Sequence, residues 1–119
     1  MTRVLLVDDS ESFRKLMVIM LSQFTTVEVI GHAQNCIEAR AAVCTLMPDV
    51  VILDLHMPGS SGLEALRDMK REPHGPIVVM CTSDPDPECR SRCLDAGADF
   101  FMDKLTDLSR WDQLFTTLV

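Results

Sequence analysis

Val50-Val-Ile-Leu53, followed at once by Asp54, is the stretch on which the fold turns. An apolar run without alternation fits a strand buried on both faces, and such strands belong to parallel sheets covered by helices. Val4-Leu-Leu-Val7 and Ile77-Val-Val-Met80 repeat the pattern on either side. Five β-rich segments are expected in all: Arg3–Val7, Val27–Ala33, Val50–Asp54, Ile77–Thr82 and Phe100–Met102.

Helical signals fill the gaps. Phe13, Leu16, Met17, Met20, Leu21 and Phe24 recur at spacings of three and four, which makes one apolar helix face. Asn35 stands three before Glu38, and Ser61 three before Glu64, the spacing of a capping box. Asp86-Pro87 offers an N-cap followed by proline at the first helical position. Ser109 is expected to open a last helix that carries Trp111, Leu114, Phe115 and Leu118 on one side. The alternation β-α, five times over, predicts right-handed crossovers and an α/β sandwich. The fold class expected is a flavodoxin-like (βα)5 doubly wound domain, residues 1–119, with a five-stranded parallel sheet in the order 2-1-3-4-5. Its functional site would lie at the carboxyl ends of the strands, near the switch point between the first and third.

Bulk properties narrow the function. Hydrophobic residues make up 47% of the 119, enough for a packed core in a single domain. The formal net charge of -7 argues against a nucleic-acid surface, which needs clustered Lys and Arg. It suits carboxylates gathered around a cation. No apolar run approaches the roughly 20 residues of a membrane span, and none resembles a signal-peptide core. A cytoplasmic location is expected. Cys36, Cys44, Cys81, Cys89 and Cys93 form no C-x-x-C pair. Cys89 and Cys93 share a helical face but supply only half the ligands of a zinc site, so reduced cysteines packing as small apolar residues are expected.

The expected strand ends carry the chemistry. Asp8 and Asp9 follow the first strand, Asp54 the third, Thr82 closes the fourth, and Lys104 follows the fifth. Singly, an Asp after a strand is usually a turn or cap residue, and a lone Lys a solvated charge. Jointly, they bring one rim a carboxylate cluster, a hydroxyl and an ammonium. Crowded carboxylates repel, and a hard cation such as Mg2+ offsets that repulsion. Asp54 would attack a phosphoryl group as the nucleophile. Lys104 and Thr82 would then meet the phosphoryl oxygens.

The segments Val4-Leu-Leu-Val-Asp-Asp-Ser10, Asp49-Val-Val-Ile-Leu-Asp-Leu-His-Met-Pro-Gly-Ser-Ser-Gly-Leu63, Ile77-Val-Val-Met-Cys-Thr82 and Ala96-Gly-Ala-Asp-Phe-Phe-Met-Asp-Lys104 go further. Through them the chain resembles the receiver domain of two-component response regulators over essentially its whole length. The resemblance implies a phosphorylation-dependent switch rather than a turnover enzyme, with Asp54 as phosphoacceptor. It implies Mg2+ ligated by Asp9, Asp54 and the backbone carbonyl of His56, with Asp8 assisting through water. Thr82 becomes the switch hydroxyl, Phe101 the switch aromatic and Lys104 the phosphate-binding lysine. By the same analogy His56 and Asp84, two residues after Asp54 and Thr82, flank the route to the phosphoryl group and either pair with each other or tune how water reaches the acyl phosphate; the alternative is that both are solvated loop residues. Implied partners are a histidine kinase or histidine phosphotransfer protein as donor, and a downstream protein met by the surface of the fourth helix, fifth strand and fifth helix. A monomer or weak phosphorylation-dependent dimer is expected. The reading is of a stand-alone regulator or an excised receiver, with the first favoured.

Three positions depart from the family pattern. Leu105 stands where proline usually follows the lysine, and a trans Lys104–Leu105 peptide is expected, since a cis bond before a non-proline costs ~2.5–4 kcal/mol. Cys36 replaces a frequent glycine at the start of the second helix. Phe101 stands where many members carry tyrosine. Two other classes fit the sequence less well. A haloacid-dehalogenase-like phosphohydrolase would want an acid two residues after the nucleophile, where His56 stands. A flavin-binding relative would want a Ser/Thr/Gly-rich loop after the first strand, where the chain is acidic.

Overall fold

β1 (Thr2–Val7), β2 (Val27–Ala33), β3 (Val50–Asp54), β6 (Ile77–Thr82) and β7 (Phe100–Asp103) form one sheet in the order β2-β1-β3-β6-β7. All four pairings in it are parallel. Counting sheet strands alone, this is the expected order 2-1-3-4-5. The structure is a computed structural model that describes residues 1–106 and 108–118.

The continuous apolar runs do what their pattern predicts. Leu5, Val7, Val51, Leu53, Val78 and Met80 point to one face of the sheet. There they pack with residues of α2 (Cys36–Leu46), α3 (Gly62–Arg71) and α4 (Pro87–Asp95). Val4, Leu6, Val50, Ile52, Val79 and Cys81 point to the other, against α1 (Glu11–Leu21) and α5 (Leu108–Leu118). Trp111 and Phe115 of α5, with Met17 of α1, are the largest fully buried side chains on that side. Each fully buried Leu or Val of the central strands contributes on the order of 1.5–3 kcal/mol of burial.

Helix starts follow the sequence signals closely. Asn35 Oδ1 accepts from the Glu38 N–H at 2.9 Å, and Asn35 Nδ2 donates to the Glu38 carboxylate. Asp86 accepts from the Cys89 N–H at 2.8 Å, with Pro87 opening α4. Ser61 caps α3, but through the Leu63 N–H rather than that of Glu64. Cys36 begins α2 without disturbing it; its side chain is buried and donates to the Ser61 carbonyl. Ser10, not singled out above, caps α1 by accepting from the Phe13 N–H.

Three boundaries differ from expectation. α5 begins at Leu108, so Ser109 is its second residue rather than its opening cap. Phe24 lies past the end of α1, where it still packs edge-on to Phe115 at 6.3 Å. Between β3 and α3 the chain forms a small hairpin, β4 (His56–Met57) against β5 (Ser60–Ser61). Its turn is Pro58-Gly59, with Gly59 at φ 70°, a region open to glycine because it lacks a Cβ. A strand of two residues has no periodicity to read, which is why the hairpin escaped sequence analysis.

The hairpin returns the chain tightly across the end of β3. The Gly62 N–H donates to the Leu55 carbonyl at 2.9 Å. A Cβ at Gly62 would overlap the Asp54 carbonyl oxygen and lie 2.9 Å from Leu55 Cα. Both obstacles are backbone, so neither can rotate away. Gly62→Ala is therefore expected to destabilise the domain by about 3 kcal/mol, as overpacking against fixed atoms does. Urea unfolding will show this as a lower midpoint at unchanged slope; an unchanged midpoint contradicts the packing argument.

Candidate functional site

At the carboxyl edge of the sheet, β1 and β3 run side by side with Val7 opposite Leu53. The next residue of each is an aspartate, so register alone brings Asp8 and Asp54 together. Both are buried, at 2% and 3% exposure, whereas Asp9 is exposed. One carboxylate oxygen from each of Asp8, Asp9 and Asp54 lies within 4.8 Å of the others. Local bonds set the loop: Asp8 Oδ1 accepts from the Ser10 N–H at 2.8 Å, and Arg14 Nη1 donates to the Asp8 carbonyl at 2.7 Å. Asp54 Oδ1 accepts from the His56 N–H at 3.2 Å.

Lys104 opposes the cluster. Its Nζ lies 2.7 Å from Asp8 Oδ2 and 3.4 Å from Asp54 Oδ2, with the lysine side chain 12% exposed. β7 carries it there: Thr82 pairs with Asp103, and the Lys104 N–H donates to the Thr82 carbonyl at 2.9 Å. Thr82 itself is fully buried, and its Oγ1 accepts from the Asp84 N–H at 3.1 Å. Asp54, Thr82 and Lys104 thus converge at the one edge where sequence reasoning put them.

Charge at this edge is incompletely balanced. Burial, then the neighbouring Asp8, push the Asp54 carboxyl up to about 6, against the pull of Lys104 and the His56 N–H. For Lys104, burial is the largest influence and lowers its proton affinity. The ion pairs with Asp8 and Asp54 outweigh it, and the net shift is upward. Cys81, beside the site on β6, is pushed well above the ordinary thiol range, first by burial and then by Asp8, which makes it an inert core residue. Asp8 Oδ2 is buried and is met by the Lys104 ammonium at 2.7 Å. An all-oxygen donor set of three carboxylates within 4.8 Å of one another, one of them reluctant to ionise, fits a hard divalent cation.

The remaining expected residues fall less centrally. His56 and Asp84 are both exposed near the rim, and no ion pair joins them among the described residues. Phe101 is half-buried and packs on the cluster that includes Cys89 and Cys93 of α4. The Lys104–Leu105 peptide is trans, as expected; there is no cis bond among the described residues. Leu105 is 78% exposed, and its N–H bonds Asp103 Oδ1 at 2.8 Å. None of the five cysteines is in a disulfide. What sequence reasoning missed is Phe13, whose ring centroid lies 4.6 Å from Lys104 Nζ. Its helical spacing marked it as core, and nothing in the sequence pairs it with a lysine 91 positions later.

A five-stranded 2-1-3-4-5 sheet with an acidic, lysine-opposed pocket at its switch point defines the class, a flavodoxin-like α/β domain. Within that class the chain belongs to the response regulator receiver domain family, which matches residues 4–115. The response regulator GacA of Pseudomonas syringae pv. syringae is 38% identical over 117 residues, covering 95% of this chain and 53% of that protein. A protein-glutamate methylesterase/protein-glutamine glutaminase of Bacillus subtilis is 37% identical over 105 residues, 87% of this chain and 29% of the relative. The chain therefore spans about half the length, or less, of these curated relatives. Among solved structures, the signal receiver domain of a DNA-binding response regulator from Colwellia psychrerythraea superposes with a TM-score of 0.90 at 25% identity, covering 99% of this chain and 98% of that one. The family assignment sets aside the phosphohydrolase alternative. No described helix is long and apolar enough to cross a membrane.

The raised Asp54 affinity for protons has a defined pH signature. In the unfolded chain the carboxyl titrates near its ordinary value of 3.8, in the folded metal-free protein at about 6. Between those values the folded state holds the proton more tightly, so this group's stabilising effect is present at low pH and lost as pH rises through about 6. Without Mg2+, Asp54→Asn is expected to raise the melting temperature clearly at pH 7.5 and much less at pH 4. An equal gain at both pH values would show that the carboxylate is not the strained group.

Proposed function

We propose that this domain is a phosphorylation-operated signalling switch with Asp54 as its phosphoacceptor. The observation that carries the reading is a buried carboxylate at the end of the central strand, set between Asp8, Asp9 and the Lys104 ammonium. Receiver domains take phosphoryl groups from histidine kinases and act on downstream partners. Here the donor is read as the phosphohistidine of a kinase or phosphotransfer protein, or a small acyl phosphate. An Asp54 carboxylate oxygen forms a bond to phosphorus. The bond from phosphorus to the donor nitrogen or acyl oxygen breaks, and the leaving group keeps the electron pair.

Asp9, Asp54 and the His56 carbonyl are read as the ligands of Mg2+, with Asp8 acting through water. When bound, the ion supplies positive charge between the carboxylates and the phosphoryl oxygens. The protein's own groups do the rest. Lys104 Nζ, already 3.4 Å from Asp54, donates to a phosphoryl oxygen as charge spreads over the transferring group. Thr82 turns its hydroxyl from the Asp84 N–H toward the same group. His56 and Asp84, exposed at the rim, are read as tuning how water reaches the acyl phosphate. Nothing in this scheme turns over a second substrate, so the domain acts as a switch and not as an enzyme.

The output surface is read as α4, β7 and α5, around Phe101. Phe101 lacks the hydroxyl that a tyrosine would have to satisfy on turning inward, so only packing opposes the inward state. Phosphorylation then shifts the balance only by its differential interaction with the two states.

Incubation with acetyl phosphate and Mg2+ is expected to add one phosphoryl group by intact-mass analysis, and none to Asp54→Asn. Asp9→Ala should remain folded and lose most of the labelling. Full-rate labelling of Asp54→Asn refutes the assignment. Thr82→Ala and Phe101→Ala should each blunt the beryllofluoride-dependent NMR shifts around α4. If both leave those shifts intact, the signal leaves Asp54 by another path.

A further inference from the structure

Lys104 Nζ has three contacts of note, and one of them is not a carboxylate. Besides Asp8 and Asp54 it faces the ring of Phe13 at 4.6 Å from the centroid, inside the range where a ring's negative face attracts a cation. The ring is fixed from behind. Phe13 is the third residue of α1, its N–H bonded to the Ser10 cap at 3.2 Å. Its ring stands edge-to-face on Trp111 at 5.8 Å and 64°, and Trp111 is fully buried in α5. The half-buried ring thus packs on Trp111 and faces the ammonium at once.

We propose that Phe13 is a positioning residue for Lys104, holding its ammonium over the place where the phosphoryl group arrives. The carboxylate partners of Lys104 change their charge balance during the reaction. Asp54 becomes an acyl phosphate, and Asp8 shares its charge with any cation bound to the cluster. The ring face is the one partner that stays the same through these states. It is preorganised by the cap and by Trp111, so it orients the lysine without rearrangement at the moment of transfer. In the transfer itself an Asp54 oxygen bonds phosphorus, acetate or imidazole leaves with its electron pair, and Lys104 meets the phosphoryl oxygens. Phe13 touches none of these atoms and acts only through Lys104. This inference rests on the phosphoacceptor reading above.

The test uses the whole chain and four variants. Phe13→Leu keeps an apolar contact with Trp111 and removes the ring face; Phe13→Tyr keeps the face. With acetyl phosphate and Mg2+, Phe13→Leu is expected to slow labelling about three- to tenfold and Phe13→Tyr to restore it to within about twofold. In a Lys104→Met background, Phe13→Leu should cost nothing further in rate. A second readout needs no metal and no reaction. Without Mg2+, Phe13→Leu should lower the melting temperature more in the wild-type background than in Lys104→Met, because only the former holds a cation over the ring. A purely structural ring would give equal drops in both. Equal drops, or Phe13→Leu labelling as fast as wild type, overturns the proposal. If wild type itself takes up no label, the phosphoacceptor reading falls and this one with it. If wild type labels and Phe13→Leu is indistinguishable, only the role of Phe13 falls.

Discussion

Everything at the working edge follows from two carboxylates that the sheet forces together. Parallel pairing of β1 and β3 fixes Val7 beside Leu53, and the chain then has no freedom to keep Asp8 and Asp54 apart. Both are removed from water, where charge is costly. Lys104 offsets part of that cost, but a single ammonium shared at 2.7 and 3.4 Å does not neutralise two carboxylates and a third at the rim. The domain stores an electrostatic tension that a divalent cation or a change of charge at Asp54 relieves. A site whose stability depends on its own occupancy is suited to switching, because the ligand has differential free energy to spend on the two states.

The same arrangement explains why so much was legible in advance. Continuous apolar runs of four residues cannot satisfy a one-sided sheet, so Val50-Val-Ile-Leu53 and its neighbours already required helices on both faces. The order 2-1-3-4-5 determines which strand ends meet, and with them Asp8, Asp54, Thr82 and Lys104. Caps at Asn35, Ser61 and Asp86 were legible because a short polar side chain before a helix bonds locally, within three residues. What stayed hidden is longer in range or shorter in extent. The hairpin at 56–61 is two residues a side, below any detectable period. Ser109 looked like a cap because serine usually is one, yet α5 takes in Leu108 ahead of it. The Phe13–Lys104 contact joins the start of α1 to the end of β7, a meeting that only the closed fold creates.

Gly62 shows how tightly backbone and site are linked. The hairpin must turn the chain back over β3 before α3 can begin, and it does so in contact with the carbonyl of the very residue read as phosphoacceptor. The glycine is set by that close approach, since a Cβ there would meet the backbone of Asp54 and Leu55. Gly59 is set differently, by its positive φ in the turn, with open space around it. One loop thus uses one glycine for its turn geometry and another for close approach to the end of β3.

The partner changes that the proposed switch calls for would have a physical route outward. Thr82 holds two strand-end connections at once: its carbonyl accepts from Lys104, and its hydroxyl accepts from Asp84, which leads into α4. Pairing of Thr82 with Asp103 ties the end of β6 to the end of β7. Phe101 lies two pairs further back, opposite Met80, on the face covered by α4. A displaced Thr82 therefore strains the β6–β7 ladder, the Lys104 turn and the start of α4 together, since they share one residue's bonds. On the opposite face, Lys104 touches Phe13 and through it Trp111, so α1 and α5 sense the same lysine from behind. Shared bonds of this kind are a mechanism for coupling only if each end has two arrangements to choose between. The proposed switch gives that choice to the half-buried Phe101 ring, with no hydroxyl to anchor it, and to the Lys104 ammonium, divided among unequal partners.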